Sequence, residues 1–119
     1  MKQRLRFPKA RRLTREAEFK RIREQGQTIR GALITLAILR NGDAVAARAG
    51  FITSRRVGHA VLRNRTRRRL REIFRKHQHQ LTSGTWIITI ASARAARVPF
   101  ARLEEEWLRL AERASILAA

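Results

Sequence analysis

From Ser54 to Lys76 the chain carries ten basic side chains and one acidic one, yet a helix wound through this stretch keeps one side apolar. At about 100° per residue, Leu62, Thr66, Leu70, Ile73, Phe74 and His77 share a face, while Asn64, Arg65, Arg67, Arg68, Arg71, Arg75 and Lys76 cover the remainder. One face therefore packs and the other is offered to anions. Arg63, Arg67, Arg71 and Arg75 make an i, i+4 row of like charges that weakens an isolated helix, so the arrangement points to a ligand that neutralises it.

The rest of the chain must supply the core for that apolar face. With 119 residues and 44% hydrophobic side chains, one compact domain over 1–119 is expected. Residues 1–12 form a basic arm broken by Pro8 and are expected to be flexible. A short helix is predicted over 14–25, with Thr14 as N-cap, Glu16 and Glu18 in the first turns and Gly26 as the stop. Residues 32–39 and 44–53, separated by Asn41-Gly42-Asp43, are read as a hairpin. Thr85–Ala91 follows Ser83-Gly84 and suits a buried strand. Pro99 opens an amphipathic helix in which Phe100, Leu103, Trp107, Leu110, Ala111 and Ala114 recur at three- and four-residue steps, with Glu104 to Glu106 on its solvated face.

The formal charge is +19, from 28 basic and 9 acidic residues, and Arg outnumbers Lys 24 to 4. Guanidinium groups pair bidentately with phosphate and stack on bases, so nucleic acid is the expected partner. The charge lies in two blocks: residues 1–30 hold eleven basic and three acidic side chains, the second block is 54–76, and the intervening parts are nearly neutral. The apolar stretches 32–39 and 85–91 fall far short of the roughly 20 residues a membrane span needs. No membrane partner is expected, and the absence of Cys agrees with a reducing compartment, so a cytoplasmic location is expected. Intrinsic nuclease chemistry lacks candidates, because Asp43 reads as a turn residue, Glu72 as a balance to neighbouring Arg, and His77 and His79 point in different directions on a helix. No catalytic residue and no metal ligand is assigned. Periodicity and charge alone leave RNA and DNA both open.

Gly50-Phe-Ile-Thr-Ser-Arg-Arg-Val-Gly58, followed by Ala60-Val-Leu-Arg-Asn-Arg-Thr-Arg-Arg-Arg-Leu-Arg-Glu-Ile-Phe-Arg75, closely resembles the signature of the bacterial ribonuclease P protein subunit, whose hallmark Arg-Asn-Arg falls on Arg63, Asn64 and Arg65. The resemblance implies an α+β fold, an α/β two-layer sandwich with a central sheet, a left-handed crossover through the basic helix and a closing C-terminal helix. It implies an accessory subunit of the ribonucleoprotein that removes the 5′ leader of precursor tRNA. The partners are then ribonuclease P RNA and precursor tRNA, with no obligate protein partner, and Mg²⁺ is expected mainly on the RNA subunit, which performs the hydrolysis. Matching positions give an RNA-facing role to Arg55, Arg56, Arg63, Asn64, Arg65, Arg67, Arg68 and Arg71, and Arg75 ends the same basic row. The resemblance also implies a leader cleft between the first helix and the sheet, to which Phe19 belongs. Arg23 stands where the family often has a second aromatic, Ile34 and Ala37 replace strand aromatics, and His59 replaces a frequent Asn. Leader binding is therefore expected to lean on Arg23 and charge more than on stacking. The alternative is a structural RNA-binding protein, such as a small ribosomal protein.

Overall fold

The computed structural model describes residues 11–40 and 46–117. The order of elements is α1 (Glu16–Gln25), β1 (Gln27–Arg30), β2 (Ile34–Arg40), β3 (Arg48–Thr53), α2 (Ala60–His77), β4 (Thr85–Ala91) and α3 (Phe100–Arg113). Short 3-10 helices at Arg55–Val57, Gln78–Gln80 and Ala93–Arg97 join them. The four strands form one sheet in the order β1-β2-β4-β3; β1 to β2 and β2 to β4 are antiparallel, and β4 to β3 is parallel. Parallel neighbours need a crossover, and α2 provides it.

The hairpin expected between residues 32–39 and 44–53 does not form. β4 lies between β2 and β3, and β2 instead makes a hairpin with β1, a strand not foreseen. The reason is burial. β4 hides Thr85, Ile87, Thr89 and Ala91 on one face and Ile88 on the other, so it is most stable in the sheet interior. The expected turn at 41–43 lies outside the described residues.

Strand alternation divides the packing in two. Ile34, Leu36 and Ile38 of β2, Ile87 and Ala91 of β4 and Ala49 of β3 meet Leu70, Ile73 and Phe74 of α2 and Leu103, Trp107 and Leu110 of α3. Phe51 and Phe74 pack edge to face at 6.2 Å, and the Trp107 indole N–H donates to Thr89 Oγ1 at 3.1 Å. The opposite face of the sheet carries Ala37, Leu39, Trp86, Ile88 and Ile90, over which α1 lays Phe19 and Ile22. The sandwich of the sheet with α2 and α3 is thus joined by a ten-residue helix on the other side, which covers only part of that face.

Several ends depart from the expected chemistry. The first helix starts at Glu16 with Arg15 as N-cap, and the Glu18 carboxylate, not Thr14, satisfies the end: its Oε1 accepts the Arg15 N–H at 3.1 Å and the Thr14 N–H at 3.3 Å. Gly26 ends α1 with φ −87°, so it is needed for space and not for a left-handed turn; an added Cβ would stand 2.4 Å from the Ile22 carbonyl oxygen and 2.5 Å from that of Ile38. The solvated face expected for Glu104 to Glu106 holds only for Glu105. Glu106 is completely buried, with Oε1 accepting the Ala32 N–H at 3.0 Å and Oε2 accepting those of Leu33 and Ile34 at 2.7 and 2.8 Å. Three backbone donors at the entry to β2 replace the water this carboxylate gives up. Glu104 receives Lys76 Nζ at 2.7 Å and faces His77 Nε2 at 2.9 Å. The expected basic arm lies mainly outside the described residues; of it, Arg11 hydrogen-bonds Gln78 and Arg12 bridges to Ala49 beside β3.

Candidate nucleic-acid interface

The 3.6-residue repeat of α2 buries Thr66, Leu70, Ile73 and Phe74 against the sheet, and this fixes what the opposite side shows. Thr66 sits in that apolar face because its hydroxyl donates to the Leu62 carbonyl at 2.8 Å. The outward stripe is Val61, Asn64, Arg65, Arg68 and Arg71, all exposed, with Val61 70% accessible. Arg55 and Arg56 are exposed on the 3-10 turn that leads into α2. The side chains of Arg55, Arg56, Arg65, Arg68 and Arg71 have no hydrogen bond or ion pair among the described residues, so their guanidinium donors face solvent. The other expected contacts are partly occupied within the protein. Arg67 Nη2 donates to Thr53 Oγ1 at 2.9 Å and Nη1 to Asn64 Oδ1 at 3.3 Å, Arg63 reaches the Gly58 carbonyl at 3.4 Å, and Arg75 is paired with Glu72.

Of the expected row Arg63, Arg67, Arg71 and Arg75, only Arg71 is on the exposed stripe; the other three are half-buried at the margin of the basic face, whose centre runs through Arg65 and Arg68. Repulsion inside the helix is relieved locally. Glu72 is held well below the ordinary carboxyl range, chiefly by its hydrogen bond from Arg75 against the opposing effect of burial. Arg69, missed as a structural cation, donates to the Val98 carbonyl at 2.8 Å; burial and the nearby Arg65 charge lower its affinity for its proton.

On the other face of the sheet, Ala37, Ile88 and Gly50 stand side by side in register, and Thr35, Ile90 and Ile52 form the next row. Two of the first three side chains are minimal, so the surface is hollow on both sides of Ile88. Over Ala37 the hollow has a volume of about 310 Å³, with Phe19, Ile22 and Arg23 of α1 as one wall and Ile52, Ile88 and Ile90 as the floor. The half-buried Phe19 ring rests on Gly50, where a Cβ would come within 2.8 Å of its Cζ. Phe19 and Arg23, both named from sequence, thus line one cavity. Of the two strand positions noted beside them only Ala37 reaches it, because Ile34 points into the opposite core with no exposure. Ile52, Ile88 and Ile90 were missed as lining, although alternation from Trp86 to Ile90 could have placed Ile88 and Ile90 on one face.

A smaller hollow of about 150 Å³ begins where Phe19 ends the first. Arg12, Leu13 and Thr14 line it with Gly50, Phe51, Arg67 and Arg71, so Phe19 is common to both. The edge strand β3 is therefore the seam between the apolar cleft and the arginine helix. An unpaired nucleic-acid strand lying in the cleft would meet an aromatic edge, an aliphatic floor and cations at both ends.

Among the described residues no three His, Asp or Glu side chains converge, and Asp43 lies outside them. Glu18, Glu72, Glu104 and Glu106 are each engaged by cations or backbone N–H groups. No helix among the described residues is long and apolar enough to cross a membrane.

Known proteins share both the sequence and the architecture. The Ribonuclease P family profile matches residues 7–115. The ribonuclease P protein component of Chloroflexus aggregans is 41% identical over 110 residues, covering 92% of this chain and 81% of its own. That of Symbiobacterium thermophilum is 34% identical over 109 residues, covering 92% and 95%. The RNase P protein structure from Staphylococcus aureus matches with a TM-score of 0.83 at 27% identity, over 92% of this chain and 99% of the other. The Thermotoga maritima RNase P protein gives 0.76 at 28% identity, over 86% and 96%. This chain belongs to the ribonuclease P protein family.

Proposed function

We propose that this chain is the protein subunit of a ribonuclease P ribonucleoprotein, in which it binds the catalytic RNA and the 5′ leader of precursor tRNA and assists Mg²⁺-dependent removal of the leader. The observation that carries the reading is the continuity of the Phe19–Arg23 cleft with the basic face of α2 across β3. Arg55, Arg56, Arg65, Arg68 and Arg71 meet phosphates of the RNA subunit, while Arg63, Asn64, Arg67 and Arg75 hold the basic face in shape and contribute its field. Neutralising phosphates on both molecules lets substrate and catalytic RNA approach at lower Mg²⁺. Among the described residues no three acidic or imidazole side chains converge, and Glu18, Glu72, Glu104 and Glu106 are committed to Arg, Lys and main-chain donors, a donor set that does not fit Mg²⁺. The hydrolysis belongs to the RNA in this reading.

Reconstitution tests it. Protein alone should leave precursor tRNA intact, and adding it to ribonuclease P RNA at low Mg²⁺ should restore 5′ cleavage. Phe19→Ala should weaken leader-bearing precursor about five-fold or more, since a stacked base contributes roughly 1 to 3 kcal/mol, while leaving mature tRNA and RNA-subunit affinity unchanged. Arg23→Ala should act in the same direction, with a loss that shrinks as salt is raised. Equal precursor preference in wild type and both variants would remove the cleft from the leader path, and copurification with ribosomal RNA alone would favour the structural RNA-binding alternative.

A further inference from the structure

A second aromatic site lies on the opposite flank of α1. In register across the sheet, Trp86 of β4 stands between Leu39 of β2 and Arg48 of β3, on the same face as Ile88 and Ile90. Its indole is half-buried, and the guanidinium carbons of Arg21 and Arg48 lie 5.4 and 5.3 Å from the ring centroid. A hollow of about 290 Å³ opens there between Arg15, Ala17, Glu18, Arg21 and Trp86. By contrast, Trp107, the other tryptophan of the chain, has no exposure and spends its N–H on Thr89.

The two cations differ in freedom. Arg48 is fixed, because it is ion-paired with Glu18 and donates Nη2 to the Arg12 carbonyl at 2.9 Å. Arg21 is exposed and holds only Gln25 Oε1, at 3.4 Å, so it can leave the indole at little cost. Among the described residues Glu18 is the one acid lining the hollow, and its charge is already answered by Arg48 and by the Thr14 and Arg15 N–H groups. What remains is a positive field from Arg15 and Arg21 around an accessible indole face. Aromatic platforms with mobile guanidinium groups match an unpaired nucleotide in both parts, base on ring and phosphate on cation.

We infer that Trp86, Arg21 and Arg48 form a nucleobase subsite for single-stranded RNA, separate from the Phe19 cleft. The inference rests on the reading that this face of the sheet receives an unpaired strand. The base stacks on Trp86, Arg48 keeps the indole in place, and Arg21 swings from the ring to the adjoining phosphate.

The test is titration of the full chain with hexa-adenylate and with an abasic ribose-phosphate hexamer, read by tryptophan emission and by binding anisotropy. Hexa-adenylate should quench wild-type emission, the abasic strand should bind without quenching, and Trp86→Phe, which emits from Trp107 alone, should show no quenching. Trp86→Ala and Arg21→Ala should each weaken hexa-adenylate at least five-fold. Arg21→Ala removes no packed side chain, so it should do this with an unchanged melting temperature even if Trp86→Ala is destabilised. Equal quenching by the abasic strand, or wild-type affinity in Arg21→Ala and folded Trp86→Ala, overturns the subsite. Phe19→Ala separates the two ideas. Loss of affinity in Phe19→Ala alone retains the cleft and removes the subsite, loss in Trp86→Ala and Arg21→Ala alone does the reverse, and loss in none removes both.

Discussion

Replacing Glu106 by Gln should be among the most damaging isosteric changes in this protein, although nothing about its position in a Glu-Glu-Glu run suggests it. The carboxylate has no exposure and accepts three main-chain N–H groups, from Ala32, Leu33 and Ile34, at 3.0, 2.7 and 2.8 Å, with Arg109 Nη2 at 3.4 Å. A Gln carbonyl placed at Oε2 keeps the Leu33 and Ile34 bonds but loses their charge assistance, and it turns an NH₂ group against the Ala32 N–H. Bonds to a charged acceptor contribute about 1.5–3 kcal/mol against about 1 for neutral ones, and a stranded donor adds about 1–3. Glu106→Gln should therefore cost about 2–7 kcal/mol. For a domain of this size that lowers the melting temperature by roughly 10 °C or more. Thermal unfolding followed by circular dichroism measures the loss, and native-state hydrogen exchange locates it, because the amides of residues 32–34 should lose protection first. Glu105→Gln, on the same helix but with its side chain 68% exposed, serves as the control and should melt like wild type. A Glu106→Gln protein that melts within about 2 °C of wild type with those three amides still protected would refute the reasoning, since the interactions would then be stabilising nothing.

Three further outcomes follow from the geometry. Arg65→Ala and Arg68→Ala should each weaken binding to ribonuclease P RNA and flatten the plot of log K against log salt by about 0.7–0.9 per lost phosphate contact, whereas Arg102→Ala on α3, already near Glu105, should do much less; identical behaviour of all three would assign binding to the net field. The carboxyls of Glu18 and Glu104 both sit below their ordinary range. Burial opposes this at Glu18 but is outweighed by the Arg15 N–H and Arg48, and at Glu104 the Lys76 hydrogen bond leads. Depressed folded values mean stability that is present above the unfolded carboxyl range, near 4.3, and is lost as pH falls through the folded values; Glu104→Gln should flatten that acid limb in melts run across pH 2–6. Gly26→Ala should unfold the α1–β1 junction or lower the melting temperature sharply, because both atoms crowding its Cβ are main-chain carbonyl oxygens that cannot rotate away.

What was legible in the sequence was local. The apolar face of α2 and the buried apolar positions of α3 follow from a 3.6-residue period within one segment, and the span Thr85–Ala91 from its β-branched and aromatic content after Ser83-Gly84; all three appear where the sequence puts them. Glu106 was not legible, since the donors that bury it are 72 to 74 residues away and a carboxylate in an acidic run carries no mark of its partner. The strand order was misread for the same reason. Asn41-Gly42-Asp43 is good turn chemistry, but turn chemistry reports which segments are joined and not which are paired; β4, buried on both faces, claimed the place between them.

That order is also what makes the candidate site. Ala37 and Gly50 lie on strands that never touch, and only the insertion of β4 sets both beside Ile88 on one face. If β2 and β3 were paired directly, the two small residues would have no common aliphatic neighbour, and the hollow between Phe19 and Ile90 would not exist. The same insertion makes β3 an edge strand with α2 rising from its end, which brings Arg67 and Arg71 to the rim of the hollow shared with Phe19. The basic helix and the aromatic residue were both recognisable as separate motifs. Their adjacency, and hence a cleft set against a field of arginines, is a property of the parallel β3–β4 crossover and of no shorter piece of the chain.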